Sequence, residues 1–152
     1  MSNKALIYNK ALSFLSRREH SRHELRTKLS KRFPEDILDI ELALDELEAK
    51  KYLANQRFAE MIARHRATQG YGPNYIKQQL KSHQVSIDPT YFYDADIEQA
   101  FFEGFMRKFK TRFKTLPKTS LEQAKLRHYF LQRGFLREQI EDYLSRIDLS
   151  VK

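Results

Sequence analysis

The sequence predicts an all-α fold: a tandem array of three three-helix units, elongated, with no β-sheet. Three observations carry that expectation. Apolar residues recur at three- and four-residue spacing along most of the chain, and no stretch shows the strict alternation of a half-buried strand. The breaks between these stretches hold residues that open or close helices. The openings also recur: Ser21, Gly72 and Ser120 lie 51 and 48 residues apart, in register with their helices, as expected of an internal repeat.

Taken in order, Ala5, Tyr8, Leu12 and Leu15 form the stripe of a first amphipathic helix. Ser21 opens the second with a capping box, Ser21-Arg22-His23-Glu24, in which each side chain satisfies the other residue's amide. That helix buries Leu25 and Leu29 and stops at Phe33-Pro34, because the residue before proline is pushed out of helical space. The third starts near Glu35 with Ile37, Ile40, Leu44 and Leu47 inward. Glu35 and Asp36 sit in its first turn, where the helix dipole favours acids. A fourth helix over 55–68 carries Phe58, Met61, Ile62 and His65 and stops near Gly70. Gly72-Pro73 starts the fifth, with proline where its missing N–H costs nothing, followed by Ile76 and Leu80. A break from Val85 to Pro89 precedes a long helix from Asp94 to Phe113. Ser120 opens a second capping box on a helix with Leu126 and Phe130, ended by Gly134. The last helix, over 136–147, places Ile140, Tyr143, Leu144 and Ile147 inward.

The expected units are residues 1–53, 54–100 and 101–152. Identity between them is slight, so an ordinary bundle with chance similarity is the competing arrangement. A repeat array would pack each unit only on its neighbours.

With 152 residues the chain is too short for two large domains. It has no run of about 18 apolar residues, hence no spanning helix, and its start lacks a signal core. Cysteine is absent, which removes disulfides, thiolate chemistry and cysteine zinc sites, and fits a reducing, cytoplasmic location. The net charge is +8 and the isoelectric point about 9.7, which favours partners bearing phosphates or carboxylates. The charge is blocked: 1–34 carries +7, 35–49 holds seven acids and no base, 52–87 is +4, 88–103 is −5 and 104–118 is +6. Either these are solvated helix faces that pair with one another, or basic helices line one surface and acidic ones another.

Catalytic and cofactor signatures are missing. The four glycines, Gly70, Gly72, Gly104 and Gly134, build neither a phosphate loop nor a dinucleotide fingerprint. The five histidines are scattered, and His20 and His23 gain no further ligands, so no metal or other cofactor is expected. The basic residues are the remaining candidates. Arg17, Arg18, Arg22 and Arg26 cluster at one helix junction, Arg57, Arg64 and Arg66 follow on the fourth helix, and Lys77 and Lys81 on the fifth. Arg107, Lys108 and Arg112, with Lys110 and Lys114, interleave with Phe105, Phe109 and Phe113. Interleaved bases and rings suggest stacking on nucleic acid. However, Phe101, Phe105, Phe109 and Phe113 recur every four residues, so core packing is the expected role of the rings.

These residues also carry a resemblance. Arg17-Arg18-Glu19-His20-Ser21-Arg22-His23-Glu24-Leu25 resembles the N-terminal segment R-R-E-x-S-x-x-E-L of the RecX family, bacterial modulators of the RecA recombinase. Tyr52-Leu53-Ala54-Asn55-Gln56-Arg57-Phe58-Ala59 is similar to its Y-L-x-D-x-R-F-A element. Gly70-Tyr71-Gly72-Pro73 with Ile76 and Leu80 resembles G-x-G-P-x-x-I-x-x-x-L, and Arg133-Gly134-Phe135 the R-G-F before the final helix. Asn55 and Gln56 depart where an acid is usual, and Asn74 and Tyr75 where a base often follows G-P. The resemblance implies tandem three-helix repeats, no catalysis, and a cytoplasmic monomer acting in DNA recombination, repair and the SOS response. It further implies binding in the groove of the RecA filament, with weak contact to single- or double-stranded DNA, and inhibition of RecA. A free helix-turn-helix DNA- or RNA-binding protein is the alternative. Against it, the basic groups are dispersed over several helices, with no single recognition helix.

Overall fold

The computed structural model describes residues 2–151 and the side chains of residues 2–148. Met1 and Lys152, the outer bounds of the first and third expected units, lie outside the described residues. The helices are α1 (Lys4–Arg17), α2 (Arg22–Arg32), α3 (Ile37–Ala49), α4 (Asn55–Thr68), α5 (Pro73–Ser82), α6 (Ala95–Arg112), α7 (Ser120–Gln132) and α8 (Arg137–Val151). A 3₁₀ turn over Pro89–Tyr93 precedes α6, just after the break expected from Val85 to Pro89. Its start is set by Asp88, which accepts the Thr90 amide and hydroxyl at 3.0 and 2.9 Å. Among the described residues there is no strand, and no helix is long and apolar enough to cross a membrane.

The chain forms two compact units, Met1–Met61 with Leu80–Ile87, and Ile62–Gln79 with Asp88–Lys152. Helices α4 and α5 therefore give residues to both.

In the first unit α1 packs on α2 and α3 around Ile7, Ala11, Leu25, Leu29, Ile40, Leu44 and Leu47. The buried face of α1 is turned about one residue from the expected stripe. Ile7 and Ala11 are fully buried, Tyr8, Leu12 and Leu15 are half-buried, and Ala5 is exposed. Ile37 is 62% exposed rather than inward. It opens α3 beside the N-cap Asp36, so Glu35 and Asp36 precede the helix.

The caps differ from expectation in detail. Ser21 Oγ accepts the Glu24 amide at 3.0 Å, but the Glu24 carboxylate pairs with Arg18 instead of reaching back. Charge attraction to a guanidinium outweighs one neutral amide bond. The α7 cap is Thr119, one residue before Ser120; its hydroxyl accepts the Glu122 amide at 3.1 Å, while Glu122 accepts the Lys118 amide at 2.8 Å.

Several helices end on a left-handed residue whose successor bonds back into the last turn. Gly134 (φ +94°) does so, with Phe135 N–H donating to the Phe130 carbonyl at 3.0 Å. Lys51 (φ 65°) makes the same closure through Tyr52 and Leu47 without the freedom of glycine. A side chain there is disfavoured by about 1–2 kcal/mol, against about 0.5–1 kcal/mol of unfolded-chain entropy that glycine adds. Lys51→Gly should therefore raise stability by up to about 1 kcal/mol. A higher urea midpoint at unchanged slope would show it.

The second unit is built on aromatic rings. Phe101, Phe105 and Phe109 of α6 are buried with Phe130, Phe135 and Tyr143, as the four-residue spacing predicts, and Phe113 is half-buried at the rim. Phe105 stands at the centre, stacked on Phe130 at 3.9 Å and edge-to-face with Phe135 and Tyr143 at 5.4 and 5.1 Å. On α4, Ala63 and Ala67 are buried in place of the expected Met61, Ile62 and His65; Met61 and Ile62 are half-buried and His65 is exposed. The small residues allow close approach to α6: a Cβ on Gly104 would lie 2.0 Å from the Ala67 carbonyl oxygen. Gly72 N–H donates to the Arg133 carbonyl at 2.8 Å and Asn74 N–H to the Gly134 carbonyl at 2.9 Å. The Gly-Tyr-Gly-Pro and Arg-Gly-Phe segments, far apart in sequence, are thus bonded to each other.

Candidate interface surfaces

The charge blocks meet first between α2 and α3. Arg22 donates to Glu41 at 2.7 Å and Asp45 at 2.8 Å and lies 3.0 Å from Glu48, and Arg26 forms a two-pronged pair with Glu41. Hydrogen bonds from Arg26 and then Arg22 hold the Glu41 carboxyl down at about 2. These two arginines therefore tie α2 to the acidic helix. Arg22 N–H also donates to Asn55 Oδ1 at 2.9 Å. The amide at this departure from the family pattern thus still supplies an acceptor for the first turn of α2. His20 is buried, with Nδ1 3.1 Å from the Arg18 carbonyl and Nε2 2.9 Å from the Lys28 ammonium. Burial lowers its pKa, and a carbonyl at Nδ1 with an ammonium at Nε2 matches the neutral tautomer that donates from Nδ1 and accepts at Nε2.

The other candidate cations divide by partner. Arg18 pairs with Glu24, and Arg57 with Glu19 at 2.9 Å and the Lys51 carbonyl at 2.7 Å. Arg64 donates to the Tyr91 hydroxyl at 3.2 Å, and Arg66 to Gln79 and Gln69 at 2.8 and 2.7 Å. Arg107 donates to the Thr68 carbonyl, Lys77 lies over the Phe92 ring and Arg112 over Tyr129. Lys108 runs beside Gly70, its Cγ 2.5 Å from where a Cβ there would stand. Arg17 and Lys81 are exposed and make no side-chain hydrogen bond, ion pair or ring contact among the described residues, and the same holds for Lys31, Arg32, Lys110 and Lys114.

Two features went unseen in the sequence. Arg133 donates to the Gly70 and Gln69 carbonyls at 2.7 and 3.0 Å, capping the end of α4, with its guanidinium 4.0 Å over Tyr71. Tyr71 in turn stacks on Tyr75 at 3.9 Å. So Tyr75, at a position where a base often stands in the family, packs as a ring. The second feature is an apolar strip on α3: Leu38 is 81% and Leu42 53% exposed, next to Ile37 and bordered by Asp39 and Glu46. Its i, i+4 spacing is visible in the sequence, but it looks like part of the core stripe until burial is known.

The structure thus defines an all-helical protein that presents cations on several helices and an apolar, acid-edged strip on one. Residues 8–47 match the family model of the RecX first three-helix domain, and residues 55–88 that of the second. The Regulatory protein RecX of Ralstonia nicotianae is 34% identical over 139 residues, covering 91% of this chain and 86% of the relative. The protein of that name in Pseudomonas fluorescens is 36% identical over 143 residues, covering 91% and 90%. The crystal structure of RecX from Lactobacillus salivarius superposes with a TM-score of 0.72 over 97% of both chains at 24% identity, a likeness of fold. The chain belongs to the RecX family of regulatory proteins.

Proposed function

We propose that this protein inhibits the RecA recombinase by lodging in the groove of the RecA–DNA filament and limiting filament extension, ATP hydrolysis and strand exchange. Family membership supports a regulatory role, and the resemblance of the four motifs supports RecA as its object. The observation that carries the reading is the α3 strip. Leu38 and Leu42 beside Asp39 are of no use to a protein that meets only phosphate, since the acid repels it and the leucines gain nothing from it, while Glu46 is paired with Lys50 at 2.9 Å. A filament groove walled by protein and nucleic acid suits both this strip and the exposed cations. In this reading Arg22 and Arg26 hold α3 in place, and contact falls to residues such as Arg17, Lys81, Arg107, Lys108 and Arg112. The protein acts as a cytoplasmic monomer of three repeats, 1–53, 54–100 and 101–152, without catalysis or cofactor.

Added at substoichiometric ratio, the protein should suppress the DNA-dependent ATPase of RecA. Its affinity for bare duplex should fall with salt at a log–log slope near −0.9 per phosphate neutralised, while filament binding persists at salt that abolishes it. Parallel loss of the two affinities would remove the protein contact from the mechanism. Undiminished ATPase with tight, selective duplex binding would instead establish a free helix-turn-helix DNA-binding protein.

A further inference from the structure

The second unit holds a groove of about 460 Å³ between the end of α6 and one face of α7, lined by Arg112, Phe113, Lys125, His128, Tyr129 and Gln132. From these residues we infer a seat for unpaired bases of single-stranded nucleic acid. The inference rests on the reading that this protein touches nucleic acid; it does not need the filament.

Four of the lining residues, Lys125, His128, Tyr129 and Gln132, stand at i, i+3, i+4 and i+7, which places them on one helix face. No carboxylate lines the groove, although the chain has twenty acids. Lys125, His128 and Gln132 are exposed and engage no other side chain among the described residues, so their hydrogen-bonding groups are available. The rings are held firmly. Phe113 and Tyr129 are half-buried and meet edge-to-face at 5.5 Å, and both touch Phe130 of the aromatic core. The guanidinium of Arg112 lies 4.7 Å from the Tyr129 ring centroid and that of Arg133 5.7 Å.

Each part has a counterpart in a nucleotide. Base faces stack on aromatic rings and on guanidinium planes alike, and do so with little regard to sequence. Seated on Tyr129, the Arg112 guanidinium turns its outer plane to an incoming base, and Tyr129 holds that plane in position. Lys125 and Arg112 are placed for phosphate, and the Gln132 amide can both donate to and accept from a base edge. A duplex offers the cations its phosphates but keeps its base faces stacked inside. An acidic peptide likewise leaves the rings unused. The combination therefore favours an unpaired strand over either.

The test titrates the full chain against labelled oligothymidylate and a duplex of equal length, without RecA, across a salt series. The single strand should bind more tightly than the duplex. Arg112→Gln with Lys125→Gln should lower the salt slope by about 0.7 for each phosphate that is no longer neutralised. Tyr129→Leu should weaken binding by about five- to a hundredfold with the slope unchanged, and Tyr129→Phe should restore it. If Tyr129→Leu fails to fold, the exposed Arg112→Gln, Lys125→Gln pair decides. Equal affinity for duplex, undiminished binding by that folded pair, or displacement of the oligonucleotide by poly-glutamate would overturn the inference. RecA ATPase measured with the same variants separates the two readings. Suppression with no groove-dependent strand binding sinks only this inference, and groove-dependent binding without suppression sinks only the filament reading.

Discussion

Phe105→Ala is expected to lower the free energy of unfolding by about 3–5 kcal/mol, the usual cost of truncating a fully buried phenylalanine. Phe105 has no solvent exposure and meets the rings of Phe130, Phe135 and Tyr143, which come from three different segments after α6. Removing it leaves a cavity that stiff rings fill poorly, so the cost should fall near the top of that range. Against a total stability of about 5–15 kcal/mol, this is a large share. The urea midpoint of the variant would report it. An unchanged midpoint, with DNA binding abolished instead, would turn the phenylalanine stripe of α6 into a stacking platform.

Gly104→Ala should also destabilise, although helix propensity argues the other way. Alanine in a helix interior is favoured over glycine by about 1 kcal/mol. Here the added methyl would stand 2.0 Å from the Ala67 carbonyl oxygen and 2.9 Å from the Gly70 amide nitrogen. Both are backbone atoms, so no rotamer change relieves the clash and α6 must move away from α4. Overpacking of this kind costs about 1–3 kcal/mol, sometimes more, and outweighs the propensity gain. Thermal unfolding gives the sign directly: a higher midpoint than that of the natural chain would mean that α4 and α6 do not approach as described.

Local chemistry makes the helices legible. The fourth helix is expected over 55–68 and is Asn55–Thr68; the long helix is expected from Asp94 to Phe113 and is Ala95–Arg112 with those two residues as its caps. Proline, glycine and capping hydroxyls act within a turn or two, so their effect can be read without a partner. The same holds for Leu25, Leu29, Ile76, Leu80 and Phe101, large residues whose burial follows from spacing alone.

Of the candidate surface, the sequence displayed the cations, and the family resemblance gave them a meaning. Only the tertiary structure decided which are occupied. Arg22 and Arg26 face three carboxylates from another helix, whereas Arg17 and Lys81 make no side-chain hydrogen bond, ion pair or ring contact among the described residues. Charge alone does not distinguish these cases, because an ion pair depends on a distance between segments. Alanine and glycine are hard to place for a related reason. They add little to a hydrophobic stripe, yet Ala63, Ala67 and Gly104 set how closely two helices approach. The groove of Arg112, Lys125 and Tyr129 is divided in the sequence between the end of one helix and the face of the next. Periodicity orders residues along an element, but the packing of helices against each other determines which faces are covered and which cations are left to a partner.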